Sequence, residues 1–174
     1  MPRQRHWVNR GEGGECVFIT TTVLDFVHAF ARDEPRDAMA QTIMLECKKA
    51  GVTLHAYVVM PHHIHLLARM PVSMTASKFM QRFKTAASTA IRPLLATQEL
   101  EQFAQQRGLN GNTFWQRSFR GIVITSERNF GVKVRYIHWN PVHAGYVADP
   151  SDYPWSSAKA WEDGLWNDDS GLPL

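Results

Sequence analysis

The segment that most constrains the fold of this chain is a strand–turn–strand pattern at residues 53–69. Residues 53–60 read TLHAYVVM and residues 63–69 read HIHLLAR, and both are rich in apolar and β-branched side chains. Pro61 stands between them, and proline fixes φ and lacks the backbone N–H that the interior of a strand needs. The pattern therefore predicts a β-hairpin that turns at Pro61.

The segments on either side of the hairpin predict an α+β domain. A helix should begin after Ser126, which suits the N-cap position, and should end at Asn140 because Pro141 follows it. Residues 107–113 predict a loop. The order β-α-β-β-α-β-α indicates an antiparallel β-sheet with helices packed mainly on one face. Composition and apolar spacing predict the remaining elements, which are strands at 16–24 and 118–125 and helices at 36–50 and 73–95.

The length of 174 residues predicts one domain with a short tail. We expect residues 1–147 to form this domain and residues 148–174 to form an extension that packs on it and is flexible at its end. Cys16 and Cys47 lack CxxC spacing, which argues against a structural zinc site. No apolar stretch approaches the ~18 residues of a membrane helix. Because the first residues also lack the apolar core of a secretory signal, we expect a cytoplasmic protein without a membrane partner.

Positive charge is concentrated in the middle of the chain, although the net charge is only +3. Residues 60–135 contain eleven Lys and Arg against three Glu, whereas residues 136–174 contain one Lys against six acidic residues. Such a basic block is typical of a surface that binds a polyanion. A solvated face neutralised by the acidic tail explains the same charges equally well, so charge alone leaves both interpretations open.

Two histidines in the second strand of the hairpin form a candidate metal site. Side chains alternate along a strand, so His63 and His65 should lie on one face while Ile64 points into the core. Two imidazoles at this spacing can bind one metal ion, although an HxH pattern also occurs as two ordinary polar residues on a sheet. Leu67 excludes the HxHxH pattern of the histidine-triad hydrolases.

A tyrosine and an asparagine stand one turn apart on the last predicted helix. Tyr136 and Asn140 have i, i+4 spacing and should therefore share one helix face. An asparagine oxygen is a hard, neutral ligand that suits Mg²⁺ or Mn²⁺. A tyrosine beside it could act on a metal-bound phosphate, and the alternative is a half-buried tyrosine of an amphipathic helix.

Four segments together resemble the single-tyrosine HUH transposases, and more closely the branch of REP-associated tyrosine transposases. The resemblance extends over roughly residues 15–160 and implies a ferredoxin-like HUH core as the catalytic domain. His62 and His143 depart from the polar and basic residues usual at those positions. The segments are MPHHIHLL at 60–67, FWQRSF at 114–119, YIHWNPVHAGYV at 136–147 and DYPWSS at 152–157.

The resemblance implies that Tyr136 is the nucleophile and that His63, His65 and Asn140 bind one divalent ion, Mg²⁺ or Mn²⁺. The reaction would cleave and rejoin single-stranded or hairpin DNA, such as REP-like palindromes, through a 5′-phosphotyrosine intermediate. It also implies a monomer, with a dimer as the alternative. The candidate DNA-binding residues are Lys78, Arg82, Lys84, Arg92, Trp115, Arg117, Arg120 and Lys133.

Two of these residues have a second interpretation, and two other functions stay open. Trp115 could stack on an unpaired base or anchor its loop to the core, and Lys133 could promote ionisation of Tyr136 or be simply solvated. The chain could also be a hydrolytic metal-dependent nuclease with a structural tyrosine, or a hairpin-binding protein without catalysis. The acidic residues in 161–174 could compete with DNA for the basic groove, in which case their removal would tighten binding at low salt.

Overall fold

The computed structural model describes residues 13–104, 113–166 and 171–172. Four β-strands and five α-helices occur within these ranges, joined by short loops and three 3₁₀ turns. The strands are β1 (Cys16–Thr22), β2 (Thr53–Met60), β3 (His63–Arg69) and β4 (Arg120–Val123). The helices are α1 (Asp33–Ala50), α2 (Ala76–Ile91), α3 (Thr97–Ala104), α4 (Glu127–His143) and α5 (Ala158–Glu162).

The four strands form one antiparallel sheet in the order β2-β3-β1-β4. The predicted hairpin is β2–β3, and its bounds agree with those expected from the sequence. β3 is a central strand, and its residue His65 lies opposite Thr20 of β1 and Val58 of β2. The register therefore places the HxH pattern in the middle of the sheet.

Both faces of the sheet are covered, and the α+β fold class is confirmed. Ile64 and Leu66 belong to a buried cluster with Ile43 of α1 and Phe83 of α2. On the opposite face, Leu67 belongs to a second buried cluster that includes residues of α4. Burial on both faces explains why β2 and β3 read as nearly continuous apolar runs. The sequence indicated helices mainly on one face; α1 and α2 lie there, and α4 covers the other.

Several element bounds differ from those predicted. Residues 73–75 precede α2, because the Thr75 side chain accepts a hydrogen bond from the Lys78 N–H (3.3 Å) and caps the helix at Ala76. Residues 92–94 form a 3₁₀ turn instead of its last turn. The strands predicted at 16–24 and 118–125 are shorter, the first helix begins earlier at Asp33, and α3 was not predicted. The loop predicted at 107–113 lies, apart from its last residue, outside the described residues.

The prediction that the last helix ends at Asn140 is wrong, because α4 continues through Pro141 to His143. A proline so close to the end of a helix removes only one hydrogen bond of the last turn. The final carbonyls are still satisfied, since Tyr146 N–H donates to Pro141 O (2.9 Å) and Ala144 N–H donates to Asn140 O (3.0 Å). Asn140 therefore stands on a regular helical turn above Tyr136.

The segment after β1 is tied to the hairpin turn. The Val23 N–H donates to His62 O (2.8 Å) and the Phe30 N–H donates to Pro61 O (2.9 Å). Between these anchors, Asp25 and Phe26 have φ values of 50° and 58°. A bulky residue rarely adopts such a left-handed backbone conformation.

The C-terminal tail packs along β2, the edge strand of the sheet. Val58 and Ser156 form an isolated antiparallel bridge. The Tyr153 hydroxyl donates to Val59 O (2.8 Å), and the Trp161 indole N–H donates to His55 O (2.8 Å). These contacts cover an edge that would otherwise present unpaired backbone groups. None of the helices within the described ranges has the length and apolar character that crossing a membrane requires.

Candidate active site

The structure brings the four residues of the predicted site together between β3 and α4. His63 and His65 project from the same face of β3, and their ring centroids lie 4.8 Å apart. Tyr136 projects from α4, with its ring 5.3 Å from that of His65. Asn140, one helical turn later, places its Nδ2 atom 3.4 Å from Nε2 of His65. The side chains of His63, Tyr136 and Asn140 therefore all lie next to His65.

Thr20 of β1 holds the His65 ring from the opposite side. Its Oγ1 atom lies 2.9 Å from Nδ1 of His65. Both contacts of the ring are satisfied if Nδ1–H donates to Thr20 Oγ1 and Nε2 accepts from the Asn140 amide. This tautomer directs the lone pair of Nε2 toward Asn140. A partner on the far nitrogen is the usual way in which proteins orient a histidine that binds a metal.

His63 is half-buried, and its Nδ1 atom has no hydrogen-bond partner in the described part of the chain. A buried polar atom without a partner costs free energy, and such atoms are uncommon in folded proteins. Its ring contacts the His62 ring at 4.6 Å as well as that of His65. The free ring nitrogen gives this residue the capacity to bind an additional group.

Both histidines are neutral near neutral pH. Burial, followed by the charges of His63 and Lys133, lowers the pKa of His65 to about 3. Burial, followed by the charge of His62, lowers the pKa of His63 to about 4. Metal ions bind the neutral form of imidazole, so these side chains need not lose a proton before binding one.

The residues present fit a divalent metal ion. Within the described ranges, no group of three His, Cys, Asp or Glu side chains is arranged to hold a metal. A site at His63 and His65 therefore needs a third ligand of another type, and the amide of Asn140 supplies an oxygen when Oδ1, in place of Nδ2, is turned toward His65. Two neutral imidazoles and one amide leave coordination positions for water and phosphate.

Tyr136 is accessible on one side and supported on the other. Its side chain is 45% exposed, and its ring meets that of Phe18 edge-on at 5.7 Å. The Lys133 Nζ atom lies 4.6 Å from the centre of the Phe18 ring and 5.6 Å from that of Tyr136. The ammonium group therefore interacts with both aromatic rings and contributes positive charge beside the tyrosine.

Two cavities flank α4. The exposed side of Tyr136 lines a cavity of about 650 Å³ together with Arg128, Arg135 and Trp139. A larger cavity of about 1060 Å³ lies between α4 and the tail and is lined by Phe130 and other residues, but not by Tyr136 or the two histidines of β3. Of the two, the smaller cavity is the one that Tyr136 lines, and His63, His65 and Asn140 line neither.

The structure separates the candidate DNA-binding residues into groups. Lys78 and Arg82 are exposed on α2, which packs against the sheet face opposite Tyr136. Arg117 and Arg120 are exposed at and after the loop that leads into β4. The guanidinium carbon of Arg92 lies 5.7 Å from the Phe103 ring, and this side chain is half-buried. Lys133 lies beside the site, with its Nζ atom 5.6 Å from the centre of the Tyr136 ring.

Trp115 and Lys84 have structural roles in the loop before β4. Trp115 is 5% exposed and its indole N–H donates to Lys84 O (3.1 Å), so it anchors its loop to the core and presents no ring face for base stacking. Lys84 Nζ donates to Gln116 O (2.9 Å) and Ser118 O (3.1 Å). Burial lowers the pKa of Lys84 to about 8. The hydrogen bonds of Lys84 therefore hold the loop before β4 against α2.

Thr20 and Phe18 are residues of the site that the sequence did not indicate. Both lie on the face of β1 that meets α4, and Phe18 stacks on the His65 ring at 5.5 Å. The run of strand-forming residues at 16–24 predicted β1 but not its partner. Only the pairing of β1 with β3 places the Thr20 hydroxyl beside His65.

The chain is similar in sequence to transposases. The model of a family described as "Transposase IS200 like" matches residues 21–140. A protein of Haemophilus influenzae, provisionally named a REP-associated tyrosine transposase, is 29% identical over 148 residues, which cover 83% of this chain and 80% of that protein. The REP-associated tyrosine transposases are the relatives that the sequence resemblance indicated.

Two solved structures share the fold. One is a REP-associated tyrosine transposase bound to a REP hairpin, with a TM-score of 0.69, 20% identity and coverage of 100% of this chain and 99% of that one. The other is a provisionally named transposase from Deinococcus radiodurans, with a TM-score of 0.51, 20% identity and coverage of 79% and 95%. These similarities confirm the fold.

Proposed function

Because the chain belongs to the IS200-like transposase family, we propose that it cleaves and rejoins single-stranded or hairpin DNA through a covalent phosphotyrosine intermediate. The observation that carries this proposal is the convergence of Tyr136 and Asn140 of α4 on His63 and His65 of β3. A candidate nucleophile, two imidazoles, one of them with an unpartnered ring nitrogen, and an amide lie within one small region.

In the proposed cleavage step, the Tyr136 oxygen attacks the scissile phosphorus in line with the leaving 3′ oxygen. The Oη–P bond forms and the P–O3′ bond breaks, so the strand is left with a 5′-phosphotyrosine end and a free 3′-OH. The phenolic proton is lost and the 3′ oxygen gains one. Attack by a 3′-OH on the phosphotyrosine reverses these changes and rejoins DNA without an external energy source.

We propose that His63, His65 and Asn140 bind one Mg²⁺ or Mn²⁺ ion for this reaction. When bound, the ion polarises the scissile phosphate and neutralises charge that develops in the transition state. Thr20 fixes the orientation of the His65 ring, and Lys133 places a positive charge 5.6 Å from the centre of the Tyr136 ring. Phe18 supports the Tyr136 ring edge-on and limits its movement.

We propose that the substrate is a DNA hairpin with unpaired flanks. A relative of the same fold has been solved with a REP hairpin bound. In this chain, Arg128 and Arg135 line the cavity on which Tyr136 opens, and both are exposed cations that suit a phosphate backbone. A monomer is the proposed active form, since Tyr136 and His65 contact each other within a single chain.

A denaturing gel with a hairpin labelled at its 3′ end tests this function. The protein should form a covalent adduct with the label in Mn²⁺ or Mg²⁺, and Tyr136→Phe should abolish the adduct. Tyr146→Phe is a matched control, because Tyr146 is 49% exposed near the end of the same helix and lies outside the site. Its adduct yield should equal that of the parent.

Two other outcomes would replace the proposal. Free product with a 5′ phosphate, formed equally by Tyr136→Phe, would identify a hydrolytic nuclease with a structural tyrosine. Hairpin binding that survives chelation, with no cleavage of any hairpin from the source genome, would identify a binding protein without catalysis.

Two further measurements test other parts of the proposal. Light scattering after size exclusion checks the oligomeric state. Deletion of residues 161–174 checks whether the acidic tail weakens binding at low salt.

A further inference from the structure

A cluster of three aromatic side chains borders the candidate active site through His63. It consists of Phe26, His28 and His62, and we refer to it as the Phe26 cluster. The His62 ring lies 4.6 Å from that of His63, 5.3 Å from that of His28 and 5.6 Å from that of Phe26. His62 and His28 are stacked with an interplanar angle of 14°. A continuous row of rings therefore extends from Phe26 to His65.

The outer members of the Phe26 cluster are open to solvent. Phe26 is 60% exposed, and His28 is also exposed. A phenyl ring left largely in water contributes little to the stability of the fold, because the hydrophobic effect scales with the apolar area removed from water. The structure thus gives Phe26 contact with His62 but no burial that would explain a large apolar residue here.

The backbone holds Phe26 in this exposed position at a conformational cost. Asp25 and Phe26 both have positive φ, and the segment is fixed by the hydrogen bonds from Val23 to His62 and from Phe30 to Pro61. Residues in sparsely populated backbone conformations tend to cluster at ligand-binding sites, where the surrounding structure enforces them. The same hydrogen bonds attach this segment to the turn that carries His62 and His63.

We propose that the Phe26 cluster is a stacking platform for an unpaired base of the DNA strand whose phosphate is cleaved. The inference rests on the proposed function and specifies which part of the substrate binds beside it. Every nucleobase has a π face, so an exposed aromatic ring next to a backbone-binding site suits single-stranded DNA of any sequence. A base within a duplex is already stacked on its neighbours, so the platform selects unpaired nucleotides.

The position of the platform agrees with this role. His62 is adjacent to His63 in the chain and in ring contact with it, so a base on the platform lies immediately beside the proposed metal-bound phosphate. The stacked pair of His28 and His62 provides a flat surface, and Phe26 closes one side of it at 65°. We expect the nucleotide next to the scissile phosphate to occupy this surface.

Fluorescence anisotropy with two probes tests the platform. One probe is a DNA stem-loop with unpaired flanks of mixed sequence, and the other is the same stem-loop with blunt ends. Phe26→Ala should weaken binding of the flanked probe about tenfold, since stacking of a single base accounts for such a factor, and should leave the blunt probe unaffected. Phe26→Trp should preserve binding. Leu45→Ala is the matched control, because Leu45 is 50% exposed on α1 across the sheet.

A second variant separates binding from folding. Phe26→Gly should weaken binding of the flanked probe as strongly as Phe26→Ala, yet melt at the same or a higher temperature, because glycine adopts positive φ without strain. An abasic site next to the cleavage position should weaken binding by the parent and should weaken binding by Phe26→Ala by a smaller factor, since the two changes remove a shared contact.

The outcomes distinguish this inference from the proposed function. Parent-like binding of the flanked probe by Phe26→Ala overturns the platform while leaving the strand-transfer function intact. Equal losses with the flanked and the blunt probes also overturn it, because they would place Phe26 against the stem or against a partner other than an unpaired base. Failure of the parent to bind either probe rejects the proposed function together with the platform.

Discussion

Two buried histidines of this protein have nearly the same immediate environment, and only one of them belongs to the candidate site. His65 of β3 is held by Thr20, with 2.9 Å between the hydroxyl oxygen and the ring nitrogen, and His138 of α4 is held by Ser157, with 2.8 Å. Burial is the first cause that lowers the pKa of each, to about 3 for His65 and about 4 for His138.

The surroundings beyond that hydrogen bond distinguish them. His138 packs edge-on against the Trp161 ring at 5.7 Å, and its Ser157 partner also accepts a hydrogen bond from the Tyr57 N–H (2.9 Å). This arrangement joins α4 to the tail and the edge strand. His65 instead faces Asn140, a neighbouring histidine whose ring nitrogen has no hydrogen-bond partner in the described part of the chain, and a half-exposed tyrosine. A lowered pKa therefore does not distinguish the candidate site here, whereas an unpartnered ring nitrogen beside an accessible tyrosine does.

Among changes around His65 and His138, His63→Ala, at the neighbour of His65, should have the largest effect on DNA cleavage. Removal of a proposed metal ligand should lower strand cleavage by well over 100-fold, on the order expected when a metal that activates phosphate is lost. Isothermal titration with Mn²⁺ should show loss of binding as well. Because His63 is half-buried at the end of β3, the melting temperature should change little. Cleavage and Mn²⁺ affinity equal to those of the parent would place the metal elsewhere.

The next largest effect should come from Thr20→Val, which removes the hydroxyl that orients His65. Loss of such a supporting hydrogen bond lowers metal affinity by about 10–100-fold in proteins. Mn²⁺ titration measures this effect directly. The variant should also lose some stability, since Nδ1 of the buried ring is left without its partner. Unchanged Mn²⁺ affinity would mean that Thr20 supports the fold and not the metal site.

The smallest effect on function should come from Ser157→Ala, the counterpart of that change at His138. The variant leaves the His138 ring and the Tyr57 N–H without their partner, so the free energy of unfolding should fall by about 1–3 kcal/mol. For a chain of this size, the melting temperature should fall by roughly 2–12 °C. Mn²⁺ affinity and adduct yield per folded molecule should equal those of the parent. A loss of Mn²⁺ affinity like that of Thr20→Val would remove the distinction between the two histidines.

The sequence predicted which four residues of the candidate site lie near one another, because each pair depends on a local periodicity. Strand alternation placed His63 and His65 on one face, and helical spacing placed Tyr136 and Asn140 one turn apart. The resemblance to the single-tyrosine transposases joined the two pairs, and the structure brings them together. The bounds of the hairpin were also predictable, since Pro61 divides two continuous apolar runs.

The remaining features depend on contacts between distant segments. Thr20 reaches His65 only through the register of β1 on β3, and Trp115 is buried only because its loop packs on α2. The continuation of α4 past Asn140 depends on backbone groups of residues 144–146, which satisfy its last carbonyls. A residue before proline generally disfavours helix, but at this helix end α4 continues through Pro141 to His143.

Tandem mass spectrometry of the covalent adduct, formed by reaction with the hairpin and Mn²⁺, tests most directly whether Tyr136 is the nucleophile of a metal-dependent site. We expect a nucleotide attached through its 5′ phosphate to Tyr136, and no adduct when a chelator is present or when His63 is replaced by Ala. An adduct on another side chain, or an equal yield in the presence of the chelator, would contradict the claim that Tyr136, His63, His65 and Asn140 form one metal-dependent site.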